Sequence, residues 1–431
     1  MATRIAAGRH GLDDDLTEDD AEAHVHGVCF KTGPPVRTGV ELEWLVHDRS
    51  DPRALIPADR LDAALAPVSG PGAFPSGSRL TREPGGQVEL SSPPAPTLAA
   101  CVAAMAADLA VLRTAADRAG LALVGSGLDS FRDPPRVLDH PRYRAMELYF
   151  DREGPWGRTM MRRTASLQVN LDGGEDSAAV SGYRARWALA HRIGPVIVAS
   201  FANSPLKDGK PTGWLSTRQA TWSLMDAGRT AHPPYAPDPR DAWARYALDA
   251  RVLCVRDTAA ERDGAPGDWT APPGLTFRQW IRGAPGLRRP TAADLDYHLS
   301  TLFPPVRPRG WLELRMTDAQ DGDDWIAATV LAATLLDDPV AADAAFAATE
   351  PLVADGEPLP SAAVWRRAAR VGLADPDLAK AARACFAAAE SALARAGADP
   401  RLRRALGDFT ERYPERGRCP ANDQLDALSR A

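Results

Sequence analysis

Four short stretches of this chain place acid or amide groups at every second position, with apolar groups between them. They are Gly39–Trp44, Gly86–Ser91, Thr164–Leu171 and Trp311–Met316. Successive side chains of a strand point to opposite faces. Glu41 therefore shares a face with Glu43, Gln87 with Glu89, Thr164 with Gln168 and Asn170, and Glu313 with Arg315. Val40, Leu42, Val88, Leu90, Leu167, Val169, Leu312 and Leu314 turn the other way, toward a core. Side by side, such strands make a sheet face carrying Glu41, Glu43, Glu89 and Glu313 together with amides and an arginine. Uncompensated carboxylates repel one another across paired strands. Clustered hard oxygen ligands suit Mg²⁺, which binds through carboxylates plus substrate phosphates.

Other residues can be placed around that face. In Glu83-Pro84-Gly85-Gly86, two glycines before a strand permit a tight turn and a close approach of backbone to a ligand. A plain hairpin turn reads the same way. It is not a phosphate-binding P-loop, because no Lys-Ser/Thr pair opens a helix afterwards. Arg162, Arg163 with Thr164, and Arg218 are candidates for holding carboxylate or phosphate bidentately. Arg315, on an acid-lined face, would offset the carboxylates and reach a transferring phosphoryl group; a structural salt bridge is the competing account. His140 and His298 lie near polar loops as possible metal or phosphate contacts. Lys207 and Lys210 follow Asn203-Ser204-Pro205 in a loop that covers a nucleotide or is a solvated turn. Trp214, Trp222, Trp243, Trp280 and Trp311 read as core rather than as base-stacking platforms.

The elements that must hold these residues follow from spacing and punctuation. An acidic helix is expected at 15–30, a strand at 38–47, a helix at 54–66, a Gly/Pro/Ser loop at 70–78 and then the second strand. Pro93-Pro94 ends that strand. Leu98, Val102, Met105, Leu109 and Leu112 recur at helical spacing through 97–119, and Gly120 supplies the stop. A strand at Leu121–Val124, the third acidic-side strand at 162–171, a helix at 178–202, Pro-rich loops at 231–240 and 261–274, and the strand 311–316 come next. Everything beyond about 325 reads as helix. Strands early and helices late, without βαβ alternation, is the α+β pattern: an antiparallel sheet with helices on one side, in a single domain.

The bulk numbers exclude several functions. The chain has 431 residues, 45% hydrophobic content and a formal net charge of −6, which argues against a nucleic-acid binder. Cys29, Cys101, Cys254, Cys385 and Cys419 are scattered, without metal-ligand spacing, as in a reduced cytosolic protein. The N-terminus turns acidic where a signal peptide needs an apolar run, and no segment reads as long and apolar enough to span a bilayer. The expectation is a cytoplasmic protein with neither membrane nor nucleic-acid partners.

Thr38–Glu43, Glu83–Ser91, His140–Tyr143, Met160–Thr164 with Gln168–Asp172, Phe201–Pro205, Gly209–Pro211, Tyr246–Asp249, Thr276–Arg278, His298–Pro304 and Leu312–Arg315 together resemble glutamate–cysteine ligase. The likeness is to the plant-type branch and to its actinobacterial relative, which begins ergothioneine biosynthesis. The matching blocks run in order from about 38 to 340.

The resemblance implies a glutamine-synthetase-like fold, a curved antiparallel sheet around ATP and Mg²⁺ with helices on its outer side. Residues 1–431 would form one catalytic domain, with a sheet-centred part at 38–340 and a helical part at 341–431. The γ-carboxylate of glutamate would become an acyl phosphate, which the amine of cysteine attacks to give γ-glutamylcysteine. Carried over residue by residue, Glu41, Glu43, Glu89 and Glu313 would be magnesium ligands. Gln168 and Asn170 would complete the ATP site, with Lys210 and Asn203 beside it. Arg315 would neutralise the transferring phosphoryl group. Arg163, with Thr164, Gln87 and Arg218, would hold substrate. The chain departs from the plant pattern at Trp44 and Ala165, so plant-type redox control is not implied. A ligase of the same fold with another acceptor amine, or a binding protein without turnover, are the alternatives. Glu41→Gln or Glu313→Gln is expected to lower activity by orders of magnitude and leave the fold intact, because each removes a ligand charge rather than core volume.

Overall fold

The computed structural model describes residues 16–257 and 267–430. Its organising element is the strand β1, Thr38–Asp48, whose alternation of Glu with Val, Leu and Trp leaves one side apolar. Around it lie β2 (Arg79–Arg82), β3 (Val88–Ser91), β4 (Leu121–Val124) and β5 (Ser166–Asp172). A small hairpin, β6 (Leu206–Lys207) with β7 (Lys210–Pro211), stands apart. The strands β8 (Val306–Pro308) and β9 (Trp311–Asp318) complete the main sheet. The order is β2-β3-β1-β5-β9-β8, with β4 pairing the far half of β1, and every pairing is antiparallel.

Register sets Glu43 opposite Glu89, Glu41 opposite Gln168, and Asn170 opposite Glu313. The sheet is interrupted once. Leu167 pairs with Thr317 and Val169 with Leu314, so Arg315 and Met316 together face Gln168. Such a bulge re-aims a side chain, and here it turns Arg315 toward Gln168.

The opposite face carries Val40, Leu42, Val88, Leu90, Leu167, Val169, Leu171, Leu312, Leu314 and Met316, all buried. The helices Tyr183–Phe201 and Trp325–Asp337 pack on it, and the core continues through Pro376–Arg395 to Phe409 and Tyr413. The helical part beyond 341 therefore shares its core with the sheet.

Several expectations change. The acidic lead-in helix is Glu18–Cys29, held by a capping box between Thr17 and Asp20; residue 15 lies outside the described residues, as do 261–266 of the expected 261–274 loop. The segment 162–165 is not strand. Trp156–Arg163 is a helix, and Thr164 is its extended C-cap, so Thr164 does not continue the face of Gln168 and Asn170. The strands β2 and β8 were not expected. By length and composition the helix Leu98–Arg118 is sufficient to cross a membrane, contrary to the sequence reading. It buries Cys101, Val102, Met105, Leu109 and Leu112 beside β1 and β4, as a core helix does.

Candidate active site

On the polar face of β1, β3, β5 and β9 the four expected glutamates meet. Asn170 Nδ2 donates to Glu41 Oε1 at 3.0 Å. Glu43 accepts from the Ser166 backbone N–H at 2.8 Å, the Ser166 hydroxyl at 2.9 Å and Gln168 Nε2 at 3.2 Å. Glu89 accepts from Thr81 and Ser91 hydroxyls at 2.8 and 3.0 Å. Glu313 is fully buried. Its Oε2 accepts from Arg307 Nε at 2.6 Å and Arg315 Nη1 at 3.0 Å, while Oε1 has no hydrogen-bond partner.

The electrostatics divide these acids. Burial, with Glu313 and Glu89 nearby, pushes Glu41 up to about 7. Burial raises Glu43, and burial with Glu43 beside it raises Glu89. Glu83, at the turn before β3, is raised well above the ordinary carboxylate range, by burial and then by Glu43 and Glu89. Burial opposes ionisation of Glu313 too, but Arg307 and Arg315 outweigh it and hold the group at about 2. A crowd of acids held above their ordinary range, beside a buried unpartnered carboxylate oxygen, has the donor chemistry of a hard-cation site. Among the described residues no three of them stand in finished coordination geometry. Glu41, Glu43 and Glu89 are held by hydroxyls and amides, which a cation could replace, whereas Glu313 is held by the guanidiniums of Arg307 and Arg315.

Beside Glu43 the sheet opens into a cavity of about 210 Å³. Its walls combine Glu43 and Glu83 with Arg142, Arg218 and Arg315, and with Tyr143, Met146, Met160, Met161, Trp222 and Phe303. Arg218 is 2% exposed, lies over the Trp222 ring at 4.7 Å and donates through Nη2 to the Arg315 carbonyl at 2.8 Å. Its Nε and Nη1 have no hydrogen-bond partner, and Nη1 is 3.7 Å from Asp318. Buried, unfilled guanidinium donors in a cavity wall suit a ligand carboxylate. Arg142 is fixed by Ser300 through two bonds of 3.1 Å.

The remaining candidates sit differently. Gln87 lines this cavity, but its amide is occupied: Oε1 accepts from Gly85 N, and Nε2 donates to the Met161 and Thr164 carbonyls. It positions the turn rather than offering a free donor. Thr164 also lines the cavity, with its hydroxyl donating to the Met160 carbonyl. Arg163 points away, to the Asp129 carbonyl and Asp208, and does not line the cavity. Asn203 is a structural tie, donating to Gly125, Ala319 and Asp318 and accepting from Gln424. It borders a different cavity of about 810 Å³ between Phe131, Gln320 and Leu428, away from the acidic face. Lys210 is exposed on the β6–β7 hairpin. His140 caps the helix Pro141–Asp151, and His298 is buried with Nε2 against the Ala247 carbonyl; neither faces the acids. Sequence reasoning missed Arg142, Tyr143, Glu83, Ser166 and Arg307 as site residues. Arg142 and Tyr143 were visible in the His140–Tyr143 motif, whereas Arg307 had no local signal and reaches Glu313 through the β8–β9 hairpin.

Comparison with known proteins gives the same direction. The profile of glutamate–cysteine ligase family 2 (GCS2) matches residues 37–430. The chain is 43% identical over 424 residues to "Glutamate--cysteine ligase EgtA" of Mycolicibacterium smegmatis, covering 94% of each chain. It is 41% identical to the protein of that name in Mycobacterium tuberculosis, over 96% of this chain and 92% of that one. A chloroplastic glutamate–cysteine ligase of Brassica juncea shares 35% over 57% of this chain and 46% of its own. Among solved structures, a glutamate–cysteine ligase from Francisella tularensis in complex with AMP has the same fold, with TM-score 0.51, 13% identity and coverage of 92% and 85%. On the family match and the near-full-length likenesses, this chain belongs to glutamate–cysteine ligase family 2.

Proposed function

We propose that the acidic face and the adjoining cavity together form the active site of an ATP-dependent glutamate–cysteine ligase, working in the cytoplasm as a single catalytic domain. Glutamate occupies the cavity with its α-carboxylate toward the unfilled donors of Arg218 and toward Arg142. Its γ-carboxylate then lies toward Arg315 and the glutamates. A γ-carboxylate oxygen attacks the terminal phosphorus of ATP, and the bond to the ADP oxygen breaks. The cysteine amine next attacks the acyl carbon, phosphate leaves, and the nitrogen loses a proton, giving γ-glutamylcysteine. Met146, Met160, Met161 and Phe303 supply the apolar side of the cavity that suits a thiol.

Glu41, Glu43, Glu89 and Glu313 would hold Mg²⁺, with Gln168 and Asn170 orienting them. When bound, the metal neutralises phosphate charge in the transferring group. Arg315 contributes a fixed guanidinium between the cavity and the acids, close to where charge develops. Five buried, unpaired cysteines suit a reducing compartment. The EgtA relatives support a product destined for ergothioneine or a related thiol.

The single observation that carries this reading is the adjacency, through Arg315, of an acid-lined face and a guanidinium-lined cavity. The test is ADP formation with glutamate, Mg²⁺ and a panel of amines. Cysteine should accelerate it most and yield a γ-linked product. Preference for another amine would retain the ligase and replace the acceptor, and an α-linked product would overturn the placement of glutamate.

A further inference from the structure

The acidic face has two ends. At one, past Glu43 on β1 and Arg315 on β9, lies the guanidinium cavity. At the other, β5 and β9 bring Asn170 opposite Glu313 and Asp172 opposite Trp311. A substrate in the cavity closes the first end, so a triphosphate meeting the same carboxylates must come from the second.

That end carries an unusual ledge. Trp311 is 38% exposed, and it is the one tryptophan among the exposed large apolar side chains of the described residues. Its Nε1 donates to Asn170 Oδ1 at 3.0 Å, and Asn170 in turn donates to Glu41, so the ring is fixed on the acidic face. The guanidinium of Arg309 lies over the ring at 5.6 Å, and its Nη1 pairs at 3.7 Å with Glu313 Oε1, the oxygen that accepts no hydrogen bond. Between them Gly310 turns the chain at φ +86°, and the stem of Lys31 crosses so close that a Cβ on Gly310 would stand 3.2 Å from it. An exposed indole with two cations at the mouth of an acid-lined face has the parts to stack a base and neutralise phosphates.

We infer that Trp311 stacks the purine of the nucleotide substrate while Arg309 and Lys31 meet its polyphosphate, making the β8–β9 turn the nucleotide-recognition element. This assignment rests on the reading of the acidic face as the phosphoryl-transfer site. It replaces Lys210 and Asn203 as nucleotide contacts and gives Trp311 a role other than core.

The experiment is calorimetric binding of Mg-ATP and of Mg-tripolyphosphate, which lacks a base, with KM for ATP and glutamate, to wild type, Trp311→Ala, Trp311→Phe and Arg309→Gln. Trp311→Ala should weaken ATP binding about tenfold, which is about 1.4 kcal/mol and within the scale of one lost base stack, and leave tripolyphosphate and KM for glutamate unchanged. Trp311→Phe keeps a stacking ring but loses the bond to Asn170, so it should retain most ATP affinity. Arg309→Gln should weaken both ligands. If Phe and Ala are equally damaging, or tripolyphosphate suffers as much as ATP in Trp311→Ala, Trp311 merely supports Asn170 and the inference fails. Normal ATP binding in both Trp311 variants also overturns it while leaving the ligase reading intact. A wild-type protein that binds no Mg-ATP overturns both.

Discussion

Arg307 donates to Glu313 Oε2 at 2.6 Å from the neighbouring strand, inside the sheet and almost out of solvent. This pair makes Glu313 unlike the other acids of the face: it is ionised and internally compensated, whereas Glu41 is pushed up to about 7 by burial and by other carboxylates. Glu313→Gln leaves Arg307 and Arg315 without their shared counter-charge. Removing one partner of a buried ion pair costs about 3 kcal/mol or more. Glu41→Gln instead removes a charge that its surroundings disfavour. We expect both variants to lose activity by orders of magnitude, but urea unfolding should show Glu313→Gln strongly destabilised and Glu41→Gln unchanged or slightly more stable. Equal unfolding midpoints would show that the Arg307 contact contributes little. The buried Arg307 contact, which strand alternation does not show, is the reason to expect Glu313→Gln to depart from an intact fold.

The turn before β3 gives a second test. The sequence suggested that Gly85 allows backbone to approach a ligand; in the structure a Cβ there would stand 2.1 Å from the Arg162 carbonyl oxygen. The close neighbour is therefore the end of the helix Trp156–Arg163. Gly85→Ala must separate two backbones, at a cost of about 2 kcal/mol by the usual scale for overpacking. It should also raise KM for glutamate, because Glu83 and Gln87 ride on that turn. Gly70→Ala, which meets open space, is the control. A Gly85→Ala protein with wild-type melting temperature and KM would remove the turn from the site's support.

The pH dependence of stability follows from two buried histidines outside the site. Burial, reinforced by His232 for His191 and by Arg229 for His298, lowers both to about 3 from an ordinary 6.5. Both are neutral in the fold at neutral pH. Between about 6.5 and 3 the unfolded chain binds more protons, so their contribution is complete above 6.5 and is lost as pH falls through that window. Denaturation midpoints should drop steeply from pH 7 to pH 5, and His298→Gln should flatten the slope. An unchanged slope would mean that other groups dominate acid unfolding.

How much of this was legible in the sequence depends on how local each cause is. Alternation within single strands placed Glu41, Glu43, Glu89, Gln168, Asn170, Glu313 and Arg315 on one face, and the register brought them together. That argument needs only the two-residue period of a strand. It failed at Thr164, where the chain is still leaving a helix, because the boundary between the two periods is not marked by any residue type. Arg163 and Arg218 looked alike as isolated arginines. Which one meets the cavity is decided by the helix Thr217–Ser223, which packs on the helices Trp156–Arg163 and Ala362–Val371 and bonds to β9 through Arg218 and Gln219, contacts between distant segments. Arg142 depends likewise on a pairing, with Ser300, that no short window contains, whereas Arg307 meets Glu313 only six residues on, across a hairpin that was not expected because β8 was not.

Arg315 is where the two halves of the site join, and it gives the sharpest test. Its Nη1 donates to both Glu313 and Gln168, and the side chain also borders the cavity. Its Nε is buried without a partner. Arg315→Lys keeps the charge but loses the planar guanidinium and its donors beyond Nη1, so phosphoryl transfer should fall more than nucleotide affinity. Arg315→Met should fall further, by roughly 2–4 kcal/mol of transition-state stabilisation, the scale for losing one preorganised electrostatic contact. Single-turnover ADP formation, ATP affinity and an unfolding curve separate the outcomes. Equal losses in affinity and transfer would make Arg315 a ground-state anchor. Loss of folding without a kinetic defect in the folded fraction would reduce it to a partner in the buried ion-pair network of Glu313.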